Sequence, residues 1–558
     1  IIEHAEFGRN VPDEAMPDED KMNLGKIYHM GKEEAAGLLL NRQAMASHTF
    51  ITGSTGTGKS NAVYHLLDEI TKNGQTTFLV VEPAKGEYKN VFGNCTDAQV
   101  FGTNPRETPL LRMNPFAFPE NIHILEHIDR LVEIFNACWP MYAAMPAVLK
   151  DAIERSYQKV GWDLRNSESE KGIFPTFFDL LDILPGVIEE SHYSKDTQSD
   201  YVGALCTRVK SLTNGIYGSV LCAEDALSDA EMFDQNVIVD LSRVGSMETK
   251  SLLMGILVMK LQEYRMCSSG MNSRLRHVTV LEEAHNLLRK TSAEQSQEGA
   301  NLQGKSVEML ANAIAEMRTY GEGFIIADQA PGLLDMSVIR NTNTKIILRL
   351  PDEEDRKLVG KSVALKEAQI DELSKLPLGV AAVYQNEWPE AVLCKIEAYP
   401  MPENAVYHKP SKMPHEINAE FVFGQLAVGK ELKPLSSSEM EQLKLWLKRH
   451  ETVLKPEDSR YLERVFAGGE LDVAKTRKAV FDFFGGIGTV VDYCAAAKKS
   501  LTPRKEFLEQ LQGQYGLKAA AADWVLNSVI SMGMSLNPDA KAVDNLRTNF
   551  EQQGGRVL

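Results

Sequence analysis

No stretch of this 558-residue sequence approaches the roughly 18 uninterrupted apolar residues of a membrane span. Its apolar runs are short, such as Thr77–Val81 and Leu378–Tyr384, which excludes stable insertion by a helix. The opening residues, Ile1-Ile2-Glu3-His4-Ala5-Glu6, lack the basic-then-apolar order of a secretory leader. Cysteine is sparse: seven residues, at 95, 138, 206, 222, 267, 394 and 494, form no CxxC pair and match no zinc spacing. Free, mostly buried thiols in a reducing cytoplasm follow. Positive charge is also short. Sixty Lys and Arg face 77 Asp and Glu, a net charge of −17, which counts against broad nonspecific coating of nucleic acid. It leaves room for DNA held in a narrow channel by a few basic loops. Residues 401–558 are balanced, with 21 Lys/Arg against 20 Asp/Glu, so the acidic excess lies in the first 400 residues. Internal repeats and low-complexity tracts are absent.

What is present is material for a large core: 43% hydrophobic and 25% charged residues, at a length that suggests two to four domains. Residues 1–22 are acidic and contain proline, and read as an exposed lead-in. From about Met22 to Ala398 short β-rich runs alternate with helical patterns. The expected strands are Thr49–Thr52, Thr76–Val81, Asn236–Leu241, His277–Leu281, Gly323–Asp328, Thr344–Leu350, Leu378–Tyr384 and Ala391–Ile396. Strands alternating with helices imply an α/β fold with a parallel sheet. Residues 121–217 break the rhythm. Ile124, Ile128, Leu131, Ile134 and Phe135 recur at helical spacing, so an all-helical insertion is expected there. The core would then comprise 23–120 and 218–400. Beyond it, 401–558 reads as all-α. A capping box at Ser438–Glu441 precedes an apolar face of Leu443, Trp446 and Leu447. Further helices are expected near 457–466, 471–483, 503–513, 518–531 and 538–552, with turns at Gly468-Gly469 and across Gly485–Gly488.

Gly53-Ser54-Thr55-Gly56-Thr57-Gly58-Lys59-Ser60, followed by Asn61, fits the phosphate-binding loop G-x-x-x-x-G-K-[ST]. Glycines let successive N–H groups converge on phosphate oxygens. The following helix turns its positive end to the same anion. Lys59 can reach the β/γ-phosphates as a point charge, and the Ser60 hydroxyl can ligate Mg²⁺. The motif stands between an apolar β run and a helical pattern, as this mechanism requires.

A second strand, His277-Val-Thr-Val-Leu281, ends in Glu282-Glu283. Glu282 is the candidate magnesium-side acid and Glu283 the candidate general base. Aspartate is usual at the first of these positions, so Glu282 is longer by one methylene. A third strand ends in Asp328-Gln329, where Gln329 either senses the γ-phosphate or orients water, or else caps the next turn. Positive charge for the transition state commonly comes from a neighbouring subunit's arginine. Arg318 and Arg340 are the candidates, with Arg349 behind them; each also suits a structural ion pair.

Taken in order, Gly53–Ser60, Glu82-Pro-Ala-Lys-Gly-Glu87-Tyr88, Met113-Asn-Pro-Phe116, Leu281-Glu-Glu-Ala-His285, Arg318-Thr-Tyr-Gly321, Asp328-Gln329 and Asn341–Arg349 resemble the HerA/FtsK superfamily of ring-forming ATP-driven pumps. The chain looks closest to HerA-type DNA translocases and conjugation ATPases, from about Met22 to Ile396. The resemblance implies a RecA-like sheet with an inserted helical bundle, and a homo-hexamer with ATP and Mg²⁺ between subunits. It further implies double-stranded DNA in the channel and a nuclease or other effector as partner, in DNA processing or anti-phage defence. By position Arg318 and Gln329 match an arginine and a glutamine of the HerA pattern. Ala330 stands where an arginine often follows that glutamine. The β-barrel expected in front of a HerA core is not recognisable in residues 1–22, and a preceding domain stays open. Arg289-Lys290 with Thr291–Lys305, and Lys85 and Lys89, are candidate channel contacts or solvated surface. A nucleotide-gated scaffold that activates an effector, and a conjugation- or secretion-type pump, are the alternatives.

Overall fold

A computed structural model describes residues 4–12, 16–95, 97–142, 144–169, 172–223, 226–291, 297–401, 405–410, 454–467, 469–515, 517 and 519–558. The chain divides into two compact units. One comprises Ile1–Ser167 and Phe174–Lys409, the other Glu168–Ile173 and Pro410–Leu558.

The first unit is built on an eleven-stranded sheet. Its strands are β1 (Lys21–His29), β2 (Lys32–Asn41), β3 (Thr49–Thr52), β4 (Thr77–Glu82), β5 (Ala98–Gly102), β8 (Asn236–Asp240), β9 (His277–Glu282), β10 (Glu322–Asp328), β11 (Thr344–Ile347), β12 (Val380–Tyr384) and β13 (Val392–Ile396). The two-residue strands β6 (Trp162–Asp163) and β7 (Glu168–Ser169) lie outside it. The order is β2-β1-β13-β12-β11-β3-β10-β9-β4-β8-β5. From β11 to β5 every pairing is parallel; from β2 to β11 every pairing is antiparallel. The chain is thus mixed α/β with a parallel-dominated sheet, followed by C-terminal helices.

Successive residues of a strand face opposite sides, and the two hydrophobic clusters divide accordingly. Phe50, Leu79, Val81, Leu281, Phe324 and Ile326 join one cluster. Ile51, Phe78, Val80, Val280, Ile325 and Ala327 join the other. The first is completed by α3 (Ile124–Cys138) and α10 (Met247–Ser268), the second by the Ala62–Ile70 face of α1 (Lys59–Thr71). All five apolar residues that marked the insertion, from Ile124 to Phe135, are buried. Within the stretch expected to be all-helical, α4 (Met145–Lys159) and α5 (Phe177–Glu190) follow, but the two-residue strands β6 and β7 fall between them; α5 opens on a Thr176–Asp179 capping box.

Three strands of the eleven-stranded sheet lie outside the sequence expectation. β1 and β2 form a hairpin whose turn, Met30-Gly31, has φ of 49° and 82°. Its second strand opens Lys-Glu-Glu-Ala-Ala-Gly, residues of weak strand preference; pairing with β1 supplies what local preference does not. β5 is five residues at the far edge. The lead-in is not wholly exposed either. Phe7 is buried, and the Gly8 N–H donates to the Ala391 carbonyl at 3.0 Å.

The second unit has its own core, including Leu462, Phe466, Val480, Tyr493, Val525, Ile530 and Phe550. Its helices are Pro456–Phe466, Val473–Phe483, Gly486–Ala497, Pro503–Tyr515, Ala519–Leu536 and Ala540–Gln552. The glycines at 485 and 486 open a helix rather than only making a turn, with φ of 94° and 54°. The capping box at Ser438–Glu441, its apolar face and Gly468 lie outside the described residues. Among the described residues no single helix is long and apolar enough to cross a membrane. One pair, Val473–Phe483 and Gly486–Ala497, passes only jointly and is bent by 65°. All seven cysteines are free thiols; three are buried and Cys95 is exposed.

Candidate nucleotide site

β3 is buried on both faces and ends at Thr52; α1 begins at Lys59. Between them the loop turns on Gly56 and Gly58, with φ of 76° and 105°. A side chain at Gly58 would also meet the Gly379 Cα at 3.3 Å, so conformation favours glycine there and the close approach adds to it. The loop is braced on itself and on the next strand. The Thr57 hydroxyl donates to the Ser54 carbonyl at 2.7 Å. The Arg349 carbonyl accepts from the Ser54 N–H at 3.0 Å and from its hydroxyl at 3.1 Å. The Gly379 N–H donates to the Thr57 carbonyl at 3.0 Å. Asn61 is engaged elsewhere: its Nδ2 donates to the Glu397 carbonyl at 3.0 Å, and its Oδ1 accepts the Tyr399 N–H at 2.8 Å. Its side chain thus straps the segment after β13.

Sheet order brings the acids to this loop. β10 lies between β3 and β9, with Asp328 opposite Thr52 and Ala327 opposite Glu282. Lys59 Nζ is 3.1 Å from Glu283 Oε1 and 3.8 Å from Glu282 Oε2. Gln329 joins the two sides. Its Nε2 donates to Glu283 Oε1 at 2.7 Å, and its Oε1 accepts the Thr55 hydroxyl at 2.7 Å. The turn after β10 is capped by Asp328, whose Oδ1 accepts the Ala330 N–H at 3.0 Å.

Four further residues complete the site: Glu82, Tyr88, His285 and Asp328. The sequence showed them only as members of longer motifs. Glu82 ends β4, beside β9, and its two oxygens accept the N–H groups of Glu87 and Tyr88 at 2.8 and 3.1 Å. The buried Tyr88 hydroxyl donates to Glu282 Oε1. Lys59, Ser60, Glu82, Lys85, Tyr88, Glu282 and Glu283 line one recess. Burial pushes Glu82 up to about 7, and the like charges of Asp240 and Glu282 add to this against the two backbone N–H donors. Burial likewise raises Glu282, although Lys59 and the Tyr88 hydroxyl pull it down. A hydroxyl and two carboxylates reluctant to ionise alone make a hard-oxygen donor set that suits Mg²⁺.

The arginines fall in two places. Arg318 is exposed in the 3₁₀ turn Met317–Tyr320, just before β10. Arg340 is exposed at the end of the helix Met336–Arg340, before β11. Both are at the strand starts, whereas the loop follows a strand end. At about 3.3 Å per residue, the length of β10 separates Arg318 from its own loop by roughly 20 Å. Arg349, past the end of β11, is the arginine beside the loop. Lys89 pairs with Asp240 at 2.6 Å and Glu107 at 3.2 Å, so its charge is committed inside the fold. Residues 292–296 of the polar stretch lie outside the described residues.

The family model "Helicase HerA, central domain" matches residues 22–322. A probable helicase of Methanocaldococcus jannaschii is 23% identical over 436 residues, 71% of this chain and 76% of that protein. A DNA double-strand break repair helicase HerA of Sulfolobus acidocaldarius is 26% identical over 392 residues, 68% and 69% of the two chains. Among solved structures, VirB4 of Thermoanaerobacter pseudethanolicus aligns with a TM-score of 0.51 at 18% identity, over 69% of this chain and 98% of that one. It shares the fold. With more than half its length matched by the family's central domain, and the loop, paired glutamates and glutamine converging at the ends of adjacent strands, this chain belongs to the HerA helicase family.

Proposed function

We propose that this chain is an ATP-hydrolysing, HerA-like motor that works as a hexamer and moves double-stranded DNA, together with a nuclease or other effector in DNA processing or defence. The carrying observation is the convergence of Lys59, Glu283 and Gln329 on one point, with Lys59 Nζ 3.1 Å and Gln329 Nε2 2.7 Å from the same Glu283 oxygen. A triphosphate on the glycine loop competes with Glu283 for Lys59. It thereby releases the carboxylate to orient and deprotonate the attacking water, while Gln329 links that carboxylate to Thr55 of the loop. Ser60 and Glu282, with Glu82 behind them, would hold Mg²⁺, which neutralises charge on the β- and γ-oxygens when bound. Arg318 or Arg340 of an adjacent subunit supplies the positive charge that no arginine at the strand starts can supply to its own loop.

The test is hydrolysis of ATP by the purified chain with and without linear duplex DNA, beside Lys59→Ala and Glu283→Gln. Each substitution should lower kcat about 100-fold or more, and DNA should raise the wild-type rate. Hydrolysis that both variants abolish but DNA does not change would favour an effector-activating scaffold, a reading the net charge of −17 also suits. Co-fractionation with membrane proteins would favour a conjugation- or secretion-type pump.

A further inference from the structure

The turn that carries Glu283 is held in an unfavourable conformation, and the hold comes from the neighbouring strand. Glu283 has φ 45° and ψ 52°, a left-handed backbone that a non-glycine residue keeps only where its surroundings fix it. Within the turn, the Asn286 N–H and Nδ2 donate to the Glu283 carbonyl at 2.9 and 2.7 Å. Across the turn stands Asp328, at the end of β10 and fully buried. Its Oδ2 accepts the backbone N–H of His285 at 2.8 Å and meets His285 Nδ1 at 2.9 Å. A carboxylate can only accept, so the imidazole carries its proton on Nδ1. The same Nδ1 lies 3.6 Å from Glu283 Oε2.

Resting on the reading of Glu283 as general base, we propose that His285 and Asp328 are positioning residues, which fix the Glu283 turn and keep its carboxylate aimed once the triphosphate has drawn Lys59 away. Before nucleotide arrives, Glu283 Oε1 is held by Lys59 and Gln329. After Lys59 leaves, Gln329 remains on Oε1 and the imidazole stands beside Oε2. The hydrogen bond that His285 donates to Asp328 raises the affinity of the ring for a second proton, against the opposing effect of burial, so the ring can present positive charge to that oxygen. The ligating atoms of Glu283, His285 and Asp328 lie within 4.8 Å of one another, a spacing a metal ion could also use. The hydrogen bonds argue otherwise. Both Asp328 oxygens already accept N–H donors, and Nδ1 is one of those donors rather than a free lone pair.

Two substitutions separate positioning from mere packing. His285→Leu removes the side-chain donor, and His285→Asn restores an N–H at a position equivalent to Nδ1. In the full-length chain, His285→Leu should lower kcat about 10- to 100-fold, with KM for ATP and the affinity for a fluorescent ADP analogue unchanged within about twofold. His285→Asn should recover most of the loss. Four results overturn the proposal: a wild-type kcat in His285→Leu, equal loss in both variants, loss of ADP-analogue binding in His285→Leu, or stoichiometric zinc in the wild-type chain that both variants lack. Glu283→Gln is measured in parallel. If it retains the wild-type rate, the general-base reading fails and takes the positioning role with it. If it is inactive while His285→Leu is normal, only the positioning role fails.

Discussion

Glu82 shows how a residue without a role of its own in the sequence becomes one in the fold. Its strand ends between β8 and β9, so the carboxylates of Asp240 and Glu282 flank it. Burial, first of all, then raises it from 4.5 to about 7. A carboxyl group raised in the folded state stabilises the fold fully below its unfolded value and progressively loses that contribution as pH rises through the folded value. The window is therefore about 4.5 to 7, and at about 1.4 kcal/mol per pH unit the loss amounts to about 3 kcal/mol. Glu82→Gln removes the ionisation and should flatten this slope. Denaturant midpoints of the magnesium- and nucleotide-free chain, near pH 5 and near pH 8, check it. Wild type should lose more stability than the variant across the interval, and equal losses would show that Glu82 stays ionised throughout. Only the strand register exposes this residue, since Glu82 and Glu282 are 200 positions apart.

At the scale of elements, the strands expected from continuous apolar runs are those buried on both faces, because such strands carry their signal locally. The glycine loop was legible for the same reason: all its parts are contiguous. β1, β2 and β5 were not, because their pairing partners rather than their side chains make them strands. Nor was the recess. His285 and Asp328 stand 43 positions apart, and no local pattern announces that β10 lies between β3 and β9. Helix α3 was legible from its period, but its contact with α10 was not. There Gly255 faces α3 closely: an added Cβ would lie 2.8 Å from Ile134 Cγ2 and 3.4 Å from Leu287 Cδ1. Two effects of Gly255→Ala compete. Helix preference favours alanine by about 1 kcal/mol, while overpacking costs about 1–3 kcal/mol. Ile134 Cγ2 sits on a branched, stiff side chain within the core, so overpacking should win. Tm should fall by about 2 °C, and a raised Tm would show that α10 moves away from α3 at little cost.

At the scale of the whole molecule, the length of the strands separates the glycine loop from Arg318. The glycine loop, Glu283 and Gln329 stand at the strand ends; Arg318 stands at the start of β10, roughly 20 Å away by strand length. If Arg318 acts on the phosphates, it acts on those of another copy, and the active unit is an interface. Mixing tests this directly. A Lys59→Ala subunit lacks a working loop but keeps Arg318, and an Arg318→Ala subunit keeps the loop but lacks the arginine. Neither should hydrolyse ATP alone. If the copies mix at random and at equal ratio, half the loops are intact and half of their neighbours can donate, so about a quarter of wild-type activity should return. An arginine acting within its own chain cannot be rescued in this way, because no subunit in the mixture has both groups. No recovery despite demonstrated subunit exchange would therefore exclude Arg318 as the donated charge, and the same exchange with Arg340→Ala would then decide whether that role belongs to Arg340.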